Sequence, residues 1–216
     1  MQSSYASDVK AQVDTFVAHA KDLENNNCQK NLEDYFIKLN LVFNCPEVTA
    51  GEVEDQYGFI VDGVFRGIWY ANLDDKKLDV FKKIIPLQHQ NKFCLSLMSV
   101  NSMIFPHTDS DAKAVINFYL KTEGCITQFY EVKADAKNYQ IESQTDGNCY
   151  SLDDLEVGPS FIAQPGDVYL LNVKKPHAVY PFTADKTLIN RSALNLSTSK
   201  LTFEETKGIV LQNNIA

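Results

Sequence analysis

Apolar positions near the start of the chain recur with a helical period. Val9, Val13, Phe16, Val17 and Ala20 fall on one stripe, which predicts a helix over 7–24 closed by Asn25-Asn26-Asn27. An apolar-rich piece over 35–43 follows, then Pro46 and a strand-like stretch over 57–70. Leu78, Phe81 and Ile85 share one face of a second predicted helix over 74–85, with Pro86 just past its end. From Lys92 onward the texture changes to short β-type runs at 93–100, 115–120, 126–132, 161–163, 168–173, 178–182 and 192–197. Turn residues separate them, among them Asn101-Ser102, Asp146-Gly147, Gly158-Pro159 and Pro165-Gly166. Many short strands with regular turn signals make a sandwich or barrel. The expectation is one α+β, mainly β domain over 1–216, with a helical N-terminal elaboration over 1–90 and a β core over 91–205. No internal repeat or low-complexity tract interrupts it.

Composition narrows the class. Of 216 residues, 44% are apolar and 22% charged, the mix of an ordinary globular protein. A net charge of −8 argues against a nucleic-acid partner, which needs clustered cations. Of the 20 cationic side chains only two are arginines, Arg66 and Arg191. The N-terminal residues lack the apolar region of a secretory signal, and no run approaches the roughly 20 apolar residues that cross a bilayer, so no membrane association is expected. Five scattered cysteines without a CxxC pair read as reduced thiols in a cytoplasmic protein.

Candidate chemistry begins at Phe105-Pro106-His107-Thr108-Asp109, directly after an apolar strand. In extended chain, residues i and i+2 face the same way, so His107 and Asp109 can offer an imidazole and a carboxylate to one ion. Asp111 shares that parity and is the alternative carboxylate. His177 follows the run 168–173 and a Lys-Lys-Pro turn. Two histidines and one carboxylate leave open positions on an iron for a co-substrate and O₂. A lone His-x-Asp is commonly just a surface pair; the surroundings give this one its force. Arg191 opens the last strand, 14 residues after His177. A guanidinium can bind a carboxylate bidentately while staying charged out of water, which lysine does less well. Along that strand Arg191, Ala193 and Asn195 share one face, and Ser192, Leu194 and Leu196 the other. On the run 115–120, Asn117 and Tyr119 face one way and Ile116, Phe118 and Leu120 the other. Polar groups turned into a core need partners, which a bound organic acid would supply.

These segments resemble the 2-oxoglutarate/iron(II) oxygenase superfamily. PHTDSDAKAVINFYL is similar to its metal-binding His-x-Asp and the strand behind it, and CITQFYE to its small-x-Thr-x-Phe strand. QPGDVYLLNVKKPHAV followed by NRSALNLS resembles its Pro-x-x-Gly-Asp, distal-histidine and arginine strands, in the usual order. The likeness spans residues 93–199. It implies a double-stranded β-helix (a cupin-like jelly-roll) with the N-terminal helices packed outside. It further implies Fe(II) held by His107, Asp109 and His177, and 2-oxoglutarate held at its far carboxylate by Arg191, with Tyr119 and Asn117 beside it. The implied reaction is oxidative decarboxylation to succinate and CO₂ coupled to hydroxylation of an unactivated C–H bond in a small molecule or peptide side chain. The chain departs from the pattern at Ala193, where many members carry Ser or Thr, and at Gly124-Cys125, where a glycine pair is common. A cupin-type metalloenzyme without 2-oxoglutarate and a metal-free binding module are the alternatives. Arg191 and the Asn117/Tyr119 face speak against the first, the intact ligand set against the second. His19 and His89 read as structural. Arg66, Trp69 and Tyr70 are candidates for a substrate mouth, with core packing the plainer role for Trp69.

Overall fold

Alternation between the two sides of each strand decides the architecture. The computed structural model describes residues 31–41, 52–61, 64–73, 81, 84–123, 125–136, 147–181 and 189–213, and the strands among them form two antiparallel sheets. In chain order the strands are β1 (Phe36–Leu39), β2 (Val53–Val61), β3 (Val64–Asn72), β4 (Cys94–Val100), β5 (Ile104–His107), β6 (Ala114–Glu123), β7 (Cys125–Val132), β8 (Leu155–Phe161), β9 (Val168–Leu171), β10 (His177–Pro181) and β11 (Asn190–Thr198). The larger sheet runs β1-β9-β6-β11-β4-β3-β2 and the smaller β5-β10-β7-β8. Among the described residues the α-helices are α1 (Leu87–Gln90) and α2 (Phe203–Asn213). The result is a mainly β, two-sheet sandwich consistent with a jelly-roll. Among the described residues no helix is long and apolar enough to cross a membrane.

Apolar side chains of both sheets meet between them, including Met98, Tyr119, Leu171 and Ala193 from the larger sheet and Phe129 and Val179 from the smaller. The larger sheet is also covered on its outer face. There Ile116, Phe118, Leu194 and Leu196 pack with Phe203 and Val210 of α2 and with Phe81, Ile84 and Ile85. Phe81 and Phe118 meet edge to face, ring centroids 4.7 Å apart. On the outer face of the smaller sheet the buried hydroxyls of Tyr130 and Tyr180 satisfy one another at 2.8 Å.

The N-terminal part differs from the expectation of a helical elaboration. Helix 7–24 lies outside the described residues. Of 74–85, only Phe81, which is helical, and residues 84–85 are described. The described part of 31–90 instead supplies β1, β2 and β3 to the larger sheet. The cause is the exposed ladders of β9 and β4, which accept β1 and β3 as neighbours. The stretch 57–70 is two strands, β2 and β3, paired with Val61 opposite Val64. Of the predicted run 161–163, only Phe161, the last residue of β8, lies in a strand.

The C-terminal helix α2 was not expected at all. Thr202 starts it: the Thr202 N–H donates to Glu205 Oε2 at 2.7 Å and the Glu205 N–H to Thr202 Oγ1 at 3.2 Å, a reciprocal cap. Gly208 sits within this helix with open space where a Cβ would stand. Gly208→Ala is therefore expected to raise stability by roughly 0.5–1 kcal/mol, read from the midpoint of denaturant unfolding.

Candidate functional site

Pairing of β5 with β10 sets His177 opposite His107, and pairing of β10 with β7 sets it opposite Phe129. Directly opposed residues of antiparallel strands share a face, so both imidazoles point between the sheets. Their ring centroids lie 4.4 Å apart, with Phe129 packed 5.7 Å from His177. The chain then leaves β5, and Asp109 swings back toward the pair. Its Oδ1 stands 3.5 Å from His107 Nε2 and 3.7 Å from His177 Nε2, and the three ligand atoms all fall within 4.8 Å of one another.

The rings are oriented for ligation. His107 Nδ1 is 2.8 Å from the Phe105 carbonyl and His177 Nδ1 3.0 Å from the Lys175 carbonyl. A carbonyl oxygen only accepts, so each Nδ1 carries the hydrogen, which leaves each Nε2 turned to the cluster. Burial, helped by the charge of His107, pushes His177 down to about 3, which keeps it neutral near physiological pH. Burial raises the Asp109 carboxyl, against the opposing pull of His107 and Lys174.

The turn between His107 and Asp109 is gripped from outside. The Thr108 N–H donates to the Asn148 carbonyl and the Tyr150 N–H to the Pro106 carbonyl, both at 3.0 Å, and Cys149 bridges to His107. Gly147 lies flat against this turn: a Cβ there would stand 1.5 Å from the Thr108 oxygen, an overlap only backbone movement can relieve. Thr108 joins His107 to Asp109, so Gly147→Ala is expected to weaken divalent metal binding about tenfold or more, measured by Mn(II) titration. Gly208→Ala, remote from the site, is the matched control.

Arg191 forms the second pole. It opens β11 between Val100 of β4 and Thr122 of β6, with Ala193 and Asn195 following on the same inward face. A bulge in the pairing with β6 sets Tyr119 rather than Leu120 opposite Ala193, which keeps Asn117 and Tyr119 inward. Arg191 is only 4% exposed. Its Nη1 donates to Thr127 Oγ1 at 2.8 Å, Nη2 donates to the Tyr119 hydroxyl, and its guanidinium lies 4.7 Å from the Tyr119 ring centre. Its Nε is buried with no hydrogen-bond partner. No carboxylate pairs with it among the described residues. Beside it, Asn195 Nδ2 donates to Asn117 Oδ1 at 3.0 Å. A cavity of about 50 Å³ touches both poles: His107, Asp109 and His177 line it along with Arg191, Asn117 and Asn195.

Other residues singled out by sequence fall elsewhere. Asp111 is exposed and outside the ligand cluster. Trp69 packs in the outer core of the larger sheet, whereas Tyr70, one residue on, lines the cavity; Arg66 is half-buried. His89 lies in α1, away from the cavity lining, and His19 is outside the described residues. Thr127, the threonine of the Thr-x-Phe strand, and Asn195, on the face of Arg191, are both buried, and sequence had assigned neither a partner. Cys125 is buried close enough to Arg191 for the guanidinium to act on its thiol, whose pKa burial raises.

No protein-family model matches the chain, and no curated protein matches it in sequence. Solved structures do. Escherichia coli ribosomal oxygenase YcfD matches at 12% identity and a TM-score of 0.42, over 86% of this chain and 52% of that one. Vicilin from hazelnut (Corylus avellana) matches at 15% and 0.34, over 70% and 31%. L-Ribose isomerase from Cellulomonas parahominis matches at 15% and 0.33, over 62% of each. The chain spans less than two thirds of the length of each of these. At such scores these are distant likenesses, and the chemistry has to be read from this chain's own side chains.

Proposed function

We propose that the chain is an Fe(II)- and 2-oxoglutarate-dependent oxygenase on a double-stranded β-helix, hydroxylating a small molecule or a peptide side chain. One observation carries this reading: a buried arginine without a carboxylate partner among the described residues lines the same cavity as a His/Asp/His cluster. Buried charges are normally paired, and among the described residues this guanidinium has no carboxylate, which suits it to a bound anion. Thr127 and Tyr119 use two of its five N–H donors, and the buried Nε is unspent, which leaves enough for a bidentate carboxylate.

The donor set fits the metal as well. Two imidazole nitrogens and one carboxylate oxygen suit Fe(II) and leave coordination positions open. His107, Asp109 and His177 would hold it; Arg191 would bind the far carboxylate of 2-oxoglutarate, with Asn117, Asn195 and Tyr119 as the polar wall alongside. Bound iron supplies O₂ activation, coupling decarboxylation of 2-oxoglutarate to succinate with C–H hydroxylation. The chain's own part is to bind and orient. Apolar side chains such as Met98, Val100, Val115 and Leu171 line the rest of the cavity, and excluding water there strengthens the arginine–carboxylate attraction.

Protein loaded with Fe(II) under argon, then given 2-oxoglutarate and O₂, is expected to release succinate slowly with no primary substrate present. Metal binding without any 2-oxoglutarate binding or succinate would replace this reading by a metalloenzyme of another class. Absence of metal binding would reduce the fold to a binding module.

A further inference from the structure

Asp109 differs from the other two ligands in having no strand to hold it. β5 ends at His107, so the strand ladder does not extend to the carboxylate. Instead its peptide is clasped on both sides by the segment that leads into β10. The Asp109 N–H donates to the Val173 carbonyl at 3.0 Å. On the other side the Lys174 ammonium donates to the Asp109 carbonyl at 2.6 Å and to the Ser110 carbonyl at 2.8 Å. Lys174 stands three residues before His177, so this clasp ties the turn bearing one ligand to the turn bearing another, across 65 residues of chain.

We propose that Lys174 is a positioning residue for the metal carboxylate: by gripping two successive carbonyls it holds the 109–110 turn so that Asp109 faces both imidazoles. The inference rests on the metal reading proposed above. Charge and geometry predict opposite signs, which makes the role testable. An ammonium near the site repels a divalent cation, so neutralising it would tighten metal binding if charge were all it contributed. If the clasp is what matters, neutralising it weakens binding, because partners that orient a ligand typically account for about 10–100-fold in affinity.

The test is anaerobic Co(II) titration of metal-free wild-type, Lys174→Met and Lys174→Arg protein, followed by the visible bands of the bound ion, with thermal midpoints of the metal-free forms. Lys174→Met is expected to bind Co(II) about tenfold more weakly, with altered band shape and an unchanged midpoint. Lys174→Arg, which keeps donors for both carbonyls, is expected to restore affinity and spectrum. Equal or tighter binding by Lys174→Met overturns the positioning role while leaving the metal site standing. A loss shared by both variants together with a lowered midpoint marks a merely structural lysine and overturns it too. A wild-type protein that takes up no Co(II) overturns the metal reading, and this inference with it.

Discussion

Arg191→Met is expected to lose 2-oxoglutarate binding while keeping the metal. In the wild type the far carboxylate would be desolvated against a buried guanidinium. Removing the guanidinium leaves the anion unpaired in a low-dielectric cavity, a cost of roughly 3–5 kcal/mol, or a hundredfold and more in affinity. Methionine conserves much of the side-chain volume, so the cavity wall is kept. The metal should stay, because no atom of Arg191 belongs to the ligand cluster. Lys at this position should bind better than Met, since charge survives, and worse than Arg, since the planar fork is lost. Anaerobic titration of the iron-loaded variants, read from the charge-transfer band of chelated 2-oxoglutarate, gives the affinities. Thermal shift gives a second measure: saturating co-substrate stabilises wild type by about 4 kcal/mol at a thousand times Kd, and that gain should vanish in Arg191→Met. Wild-type affinity in the Met variant would mean that the anion sits elsewhere. Loss of iron together with 2-oxoglutarate would mark Arg191 as a structural residue.

The polar alternation that pointed to this arginine was legible for a physical reason. Both faces of β6 and β11 are buried over most of their length, yet one packs against apolar helix surface and the other against a cavity with polar groups. β11 and β6 therefore alternate polar and apolar side chains even though both faces are inside. His107 was legible because strand parity survives to the end of β5; Asp109, two residues on, lies past that strand, and what fixes it is remote in sequence. Val173 and Asn148 act through their backbone carbonyls and Lys174 through an ammonium on backbone carbonyls, and none of these contacts leaves a residue pattern. Thr127 was visible as a motif residue but its pairing with Arg191 was not, since a threonine on a strand reads as β propensity before it reads as a guanidinium's partner. Two fold elements did carry signals. Asp62-Gly63, between two apolar runs, is a two-residue hairpin signature, and the flanking Val61 and Val64 pair with one another. Thr202-x-x-Glu205 is a capping box, and α2 begins there. β1 gave less, being four residues that hold their strand only through β9.

His177→Ala is expected to abolish stoichiometric metal binding, and the choice of carboxylate can be read in the same series. Three protein ligands are few enough that losing one leaves an ion that water and buffer strip away. The loss should exceed the roughly 10–100-fold typical of removing a partner that merely orients a ligand. Folding should survive, because the ring's hydrogen bond to the Lys175 carbonyl is a local one and its neighbours in β10 remain buried. Asp109→Asn tests the anionic ligand. An amide still offers a lone pair but no charge to offset the cation, so its affinity should fall well below wild type. Asp111→Asn is the matched control: it has the same parity along the chain, but an exposed side chain outside the cluster, and its affinity should stay near wild type. Elemental analysis after gel filtration gives the stoichiometry, and anaerobic titration the affinities. Stoichiometric iron in His177→Ala would show that the ligand set is wrong. Equal weakening by the two Asn variants would move the metal away from the His107–His177 pair toward the exposed turn.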